Sequence, residues 1–162
     1  MFARTLIILS WGAAMAFAGT AYAWKTVELN GPGLSRDARY SGKVLTREEL
    51  RVCLNRREAL NAAVTRMHEE DAALSKEAAE IRKLKDEIEL QEPVVDRTDP
   101  EAVARFNAMI DEVAERTQAY NAAMKKLGAQ YYEHKRLRSD FAKQCGARYY
   151  EDDLRALRAA AR

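Results

Sequence analysis

Two long stretches of the chain place residues on one face at alternating spacings of three and four. The first takes in Leu50, Cys53, Arg57, Leu60, Val64, Met67, Asp71, Leu74, Ala78, Ile81, Lys85 and Ile88. The second takes in Val103, Phe106, Ile110, Val113, Thr117, Tyr120, Met124, Leu127, Tyr131, His134, Arg138, Phe141 and Cys145. A mostly apolar stripe sustained at that spacing predicts two coiled-coil seams. Thr46 with Glu49 reads as a capping box, and Leu45 with Leu50 as a hydrophobic staple, so the first helix begins at 46. Pro93 ends it near Gln91. Asp99 is placed to cap the second helix, with Pro100 in its first position and Glu101 beside the positive end of its dipole. That helix reaches about Gln144, and Gly146 behind Cys145 is a natural terminator.

A short connection makes the two helices antiparallel neighbours. Facing residues are then symmetric about the point where the chain turns back. Cys53 and Cys145 are symmetric about Asp99, and the loop Glu92 to Asp99, marked out independently by its prolines, ends there. The same register sets Ile88 against Ile110, Leu74 against Met124, Met67 against Tyr131, Val64 against His134 and Asp71 against Leu127. The expected fold is therefore all-α: a long antiparallel two-helix coiled-coil hairpin, clamped by a disulfide at its open end, plus a short C-terminal helix. The hairpin occupies 46–145, with helices of about 46–91 and 100–144. Residues 146–162 supply the short helix, with Asp152 and Asp153 at its start and Arg158 near its end. Closing so long a loop is worth about 4–5 kcal/mol in the chain-entropy model.

Outside the hairpin the pattern changes. Arg4 is followed by an uncharged run from Thr5 to Gly19, and Ala21-Tyr22-Ala23 fits the small-x-small rule for signal cleavage between Ala23 and Trp24. Residues 1–23 are thus expected to be a signal peptide. The competing reading is an uncleaved inner-membrane anchor, because Thr5 to Trp24 is 20 uncharged residues, about the length that spans a bilayer. Export to an oxidising compartment favours a structural bond between the two cysteines, and the Cys-x-x-Cys spacing of a redox centre is missing. Residues 24–45 carry the turn formers Asn30-Gly31-Pro32-Gly33 and Ser41-Gly42. They read as an irregular arm that folds back through Trp24, Val27, Leu29 and Val44, or as a disordered linker.

Composition narrows the function classes. The chain has 162 residues, 32% charged and 8% aromatic, with a formal net charge of +2. That is the usage of a long-helix protein and not of a strongly basic nucleic-acid binder. Charge is unevenly spread, however. Near the predicted tip, Asp86, Glu87, Glu89, Glu92, Asp96, Asp99 and Glu101 face only Arg97. Towards the cysteine end, Lys125, Lys126, Lys135, Arg136, Arg138, Lys143 and Arg148 outnumber Glu133 and Asp140. A basic base could rest near anionic lipid, or rods could associate tip to base; solvated helix faces give the same pattern.

Candidate chemistry is sparse. His68 and His134 fall about one turn apart across the hairpin with acids nearby, which would let two ligands approach one ion, although zinc sites usually show tighter ligand spacing. Glu69-Glu70-Asp71 and the acids near Glu87 lie on an extended rod without a pocket to shift a pKa, so they read as solvated faces. The recurring Leu60-Asn61-Ala62-Ala63, Phe106-Asn107-Ala108 and Tyr120-Asn121-Ala122-Ala123 are core patterning beside the seam.

Together with the tail Phe141-Ala142-Lys143-Gln144-Cys145-Gly146-Ala147-Arg148-Tyr149, the aromatic-Asn repeats give the chain a resemblance. It resembles a loose group of exported proteobacterial helical proteins over about residues 45 to 155, and that group brings no function to transfer. In length and coiled-coil content it is also similar to the trimeric periplasmic holdase chaperones, though without their β-forming trimerisation segment. The expected function is that of a periplasmic, non-enzymatic structural or interaction protein of the bacterial envelope. It would present its hairpin surface to a protein partner or a second copy, with no cofactor, metal or nucleic acid. A four-helix dimer would cover the Ala-rich flanks at Ala62, Ala63, Ala72, Ala73, Ala122 and Ala123. The alternative is a holdase-type chaperone for unfolded envelope proteins.

Overall fold

The computed structural model describes residues 24–161, so the signal peptide expected over 1–23, including Ala23 of its cleavage site, lies outside the described residues. The chain forms helix α1 (Arg47–Gln91), a 3₁₀ turn (Glu92–Val94), helix α2 (Pro100–Cys145) and helix α3 (Glu151–Ala160). The two long helices pack along their length as an antiparallel hairpin. Cys53 and Cys145 are bonded across its open end with their Cα atoms 5.7 Å apart.

The ends of α1 and α2 follow their local chemistry. Thr46 Oγ1 accepts from the Glu49 backbone N–H at 3.2 Å, while Glu49 Oε2 accepts from the Thr46 N–H at 2.8 Å. The Thr46 N–H, and then Lys43, hold the Glu49 carboxyl below the usual carboxylate range. Leu45 and Leu50 are both buried and belong to one core cluster, as a staple requires. Thr46→Ala should cost about 1 kcal/mol, read as a shift in the urea midpoint at unchanged slope. At the tip, Asp96 Oδ1 accepts from the Thr98 N–H at 2.8 Å and Asp99 Oδ1 from the Glu101 N–H at 2.9 Å, which closes the loop and starts α2. Gly146 caps α2 for a different reason from the one its residue type suggests. Its φ is −76°, outside the left-handed region, and a Cβ there would run into the Ala142 carbonyl oxygen. Close approach, not backbone handedness, requires the glycine.

Every predicted seam position on both helices is buried or half-buried. The layer pairing is looser than a strict symmetry about Asp99. Away from the clamp, Leu127 packs with Val64 and Met67, and the ring of His134 meets the backbone of Leu60. Arg116 grips Glu77 through Nε to Oε1 at 2.7 Å and Nη2 to Oε2 at 3.0 Å. These contacts centre near Arg97, within the loop, because the chain turns back in the middle of the loop and not at its end. Each residue therefore faces a partner about one turn of helix from the one strict symmetry about Asp99 would give.

The arm is ordered on the hairpin. Val27 is buried, and its N–H and carbonyl both pair with the Asn61 side-chain amide at 2.8 and 3.1 Å. Isolated parallel bridges join Leu34 to Tyr150 and Val44 to Arg148. Arm, α1, α2 and α3 thereby share one core at the base: Val27, Leu45, Leu50, Cys53, Leu60, Phe141, Cys145, Tyr149 and Leu154. Asp153 locks it, accepting from Arg36 Nη2 and Arg47 Nε, each at 3.0 Å, although it is only 5% exposed. A carboxylate so buried is tolerable only with such charged partners.

Candidate functional site

The arm divides the base half of the hairpin into two unlike faces. On the covered face Trp24 lies edge-on to Tyr131 and His68, with ring centroids 5.3 and 6.0 Å apart, and Arg57 approaches Glu28 at 4.0 Å. Beside the arm, Lys25, Lys135 and Arg138 ring a shallow hollow floored by Tyr131 and Ala142. Of the bases that mark this end in the sequence, Lys135 and Arg138 reach the hollow, joined by Lys25 of the arm.

The opposite face lacks the arm and forms a groove of about 520 Å³ between α1 and α2. Heptad geometry explains its shape. Small residues at Ala59 and Ala63 border the seam on α1, so the floor is set by Leu60, Met67, His134 and Phe141. The rim is charged: Arg56, Arg66 and Glu70 on α1, Glu133 and Asp140 on α2, with Gln144 hydrogen-bonded to Arg56 at the base end. Leu137 stands on the α2 rim and is 40% exposed. At the far tip Leu90 and Val94 are exposed among acidic neighbours. The groove thus combines an apolar floor with a charged rim.

The residues singled out from sequence divide accordingly. Cys53 and Cys145 are joined, and Trp24 seals the arm against the hairpin. His68 sits under Trp24 on the arm face, whereas His134 is buried in the seam towards the groove. Among the described residues no group of three or more His, Cys, Asp or Glu side chains is arranged to hold a metal ion. Asn61, read from sequence only as part of a core repeat, is the residue that anchors the arm.

Burial holds the His134 imidazole below its ordinary pKa; a hydrogen bond to the Leu60 backbone opposes this without overcoming it, and the nearby Arg138 charge adds a smaller push downward. Its Nε2 has no hydrogen-bond partner. The folded state therefore favours the neutral ring, and the unfolded chain binds the proton more readily. The stability this ring contributes is present above its unfolded pKa of about 6.5 and falls away as pH drops below it. Removing the titration with His134→Gln should flatten the stability–pH curve below about pH 6.5, measured by urea unfolding.

Among the described residues no helix is long and apolar enough to cross a membrane. Comparison of the chain with protein-family models, curated proteins and solved structures finds no match.

Proposed function

We propose that this protein is a non-enzymatic docking module of the bacterial envelope, exported to the periplasm, which offers the arm-free face of its hairpin to a protein partner. The observation that carries this reading is the groove itself. One face is built over by the arm, while the other keeps an apolar floor open between charged rims. The clamp and the Asp153 lock hold that face in shape before any partner arrives, which lowers the ordering cost of binding. In the same reading the hollow at Lys25, Lys135 and Arg138 turns the base towards anionic lipid.

The test is position-dependent photocrosslinking in expressing cells. A crosslinker at Leu137 on the rim should yield adducts of discrete mass, while the same group at the exposed Asp111 should not. Equal yields at both positions, or none at Leu137, would overturn the reading. One feature favours a holdase role instead: Leu90 and Val94 are 75% and 76% exposed at the free tip. That reading expects the protein to slow aggregation of an unfolded outer-membrane protein, and Leu90→Ser with Val94→Ser to abolish the effect.

A further inference from the structure

We infer that the groove is closed by a second copy of this chain, face to face, with the two rods parallel and base beside base. The inference rests on the docking reading and names its partner. It follows from the signs of charge around the groove. A two-fold axis along the rods lays α1 of one copy over α2 of the other at the same height. The Arg56–Gln144 hydrogen bond and the contact of Leu60 with His134 fix those heights within each chain. Arg56 of one copy then meets Asp140 of the other, and Arg66 comes within about one turn of Glu133. Glu70 meets Lys126, which lies one turn before Gln130 on the same face of α2. All three encounters join opposite charges, and each occurs twice.

The other two-fold arrangement, with rods antiparallel, matches charge less well. It lays α1 on α1 and α2 on α2, so Arg56 meets Glu70, but Glu133 meets Asp140 of the second copy. Only Arg136, already bonded to both on its own helix, offsets the two carboxylates. The parallel arrangement also places Ala73 of one copy over Ala123 of the other, both small enough for the helices to approach. The face is about two helix diameters wide and roughly 25 Å long, so it buries about 1,000 Å² in total. That is near the lower bound for a specific interface and fits a concentration-dependent dimer.

Sedimentation velocity on the purified, disulfide-bonded protein from about 1 to 100 µM tests this. The expected result is a concentration-dependent dimer, weakened about tenfold or more by Leu137→Glu, with helical circular dichroism of every variant matching the parent. Glu70→Lys and Lys126→Glu should each weaken the dimer about three- to fivefold, and the double swap should restore it. Glu70 and Lys126 suit the swap because they lie outside the ion pairs that Arg136 makes with Glu133 and Asp140 on its own helix. A monomer at every concentration, a dimer indifferent to Leu137→Glu, or a double swap no better than its parents would overturn the inference. A monomer that still gives adducts only from Leu137 overturns the second copy while leaving the docking reading in place.

Discussion

Breaking the Cys53–Cys145 bond should lower the thermal unfolding midpoint by roughly 15 °C. The bond joins residues separated by 92 positions, and for a loop of that size the entropy removed from the unfolded chain amounts to about 4–5 kcal/mol. A two-helix hairpin is poorly placed to absorb the loss, because most of each helix surface faces water and the shared core is confined to the base. The measurement is a circular-dichroism melt of the parent against Cys53→Ala with Cys145→Ala; a shift under about 3 °C would contradict it. Both cysteines are buried, at 3% and 2% exposed, so reductant alone should act slowly until the base opens. Hydrogen exchange in the reduced protein should rise first at the base, near the missing bond, and last around Val113 and Leu127 in the hairpin body, where the side chains are almost wholly buried.

Leu50→Ala should cost about 3–4 kcal/mol. The side chain is 0% exposed and lies in the cluster where arm, both long helices and α3 meet. Truncation removes three carbons from contact with groups that cannot collapse inward, since the disulfide and Asp153 hold them apart. The change should appear as a lower urea midpoint at constant slope. Val52 supplies the control: it is 42% exposed on the same helix, and Val52→Ala should stay within about 0.5 kcal/mol. If the two substitutions cost the same, the base is not the packed junction described above.

Much of this architecture is legible in the amino-acid order because it is periodic. The seams need no more than a repeat of three and four, and Thr46, Glu49, Asp99 and Pro100 mark helix starts by chemistry that acts over a few residues. The clamp follows from the same arithmetic. The docked arm is legible only in part: the apolar Val27 and Leu29 that suggest folding back do pack on the base core, but the Asn61 anchor and the backbone bridges at Leu34 and Val44 depend on no side-chain pattern. The groove is hidden for a related reason. Alanines flank the seam on both sides, and only the path of the arm decides which flank stays open. The histidines illustrate the limit of a register read from the cysteines alone. His134 meets Leu60, about two helical turns from His68, and the two rings lie on different sides of the rod.

The closed loop also decides how the molecule bears tension. Trp24 and Ala160 belong to segments attached near the same pole, outside the span bridged by the sulfurs. A pull on those two ends would peel away the flanking segments and then run straight through the covalent link. The 92-residue separation would hide about 300 Å of contour from a stretching experiment until a reducing agent releases it. The long shaft is thus mechanically insulated from the segments that flank the clamp, and load reaches it only through whatever grips its sides.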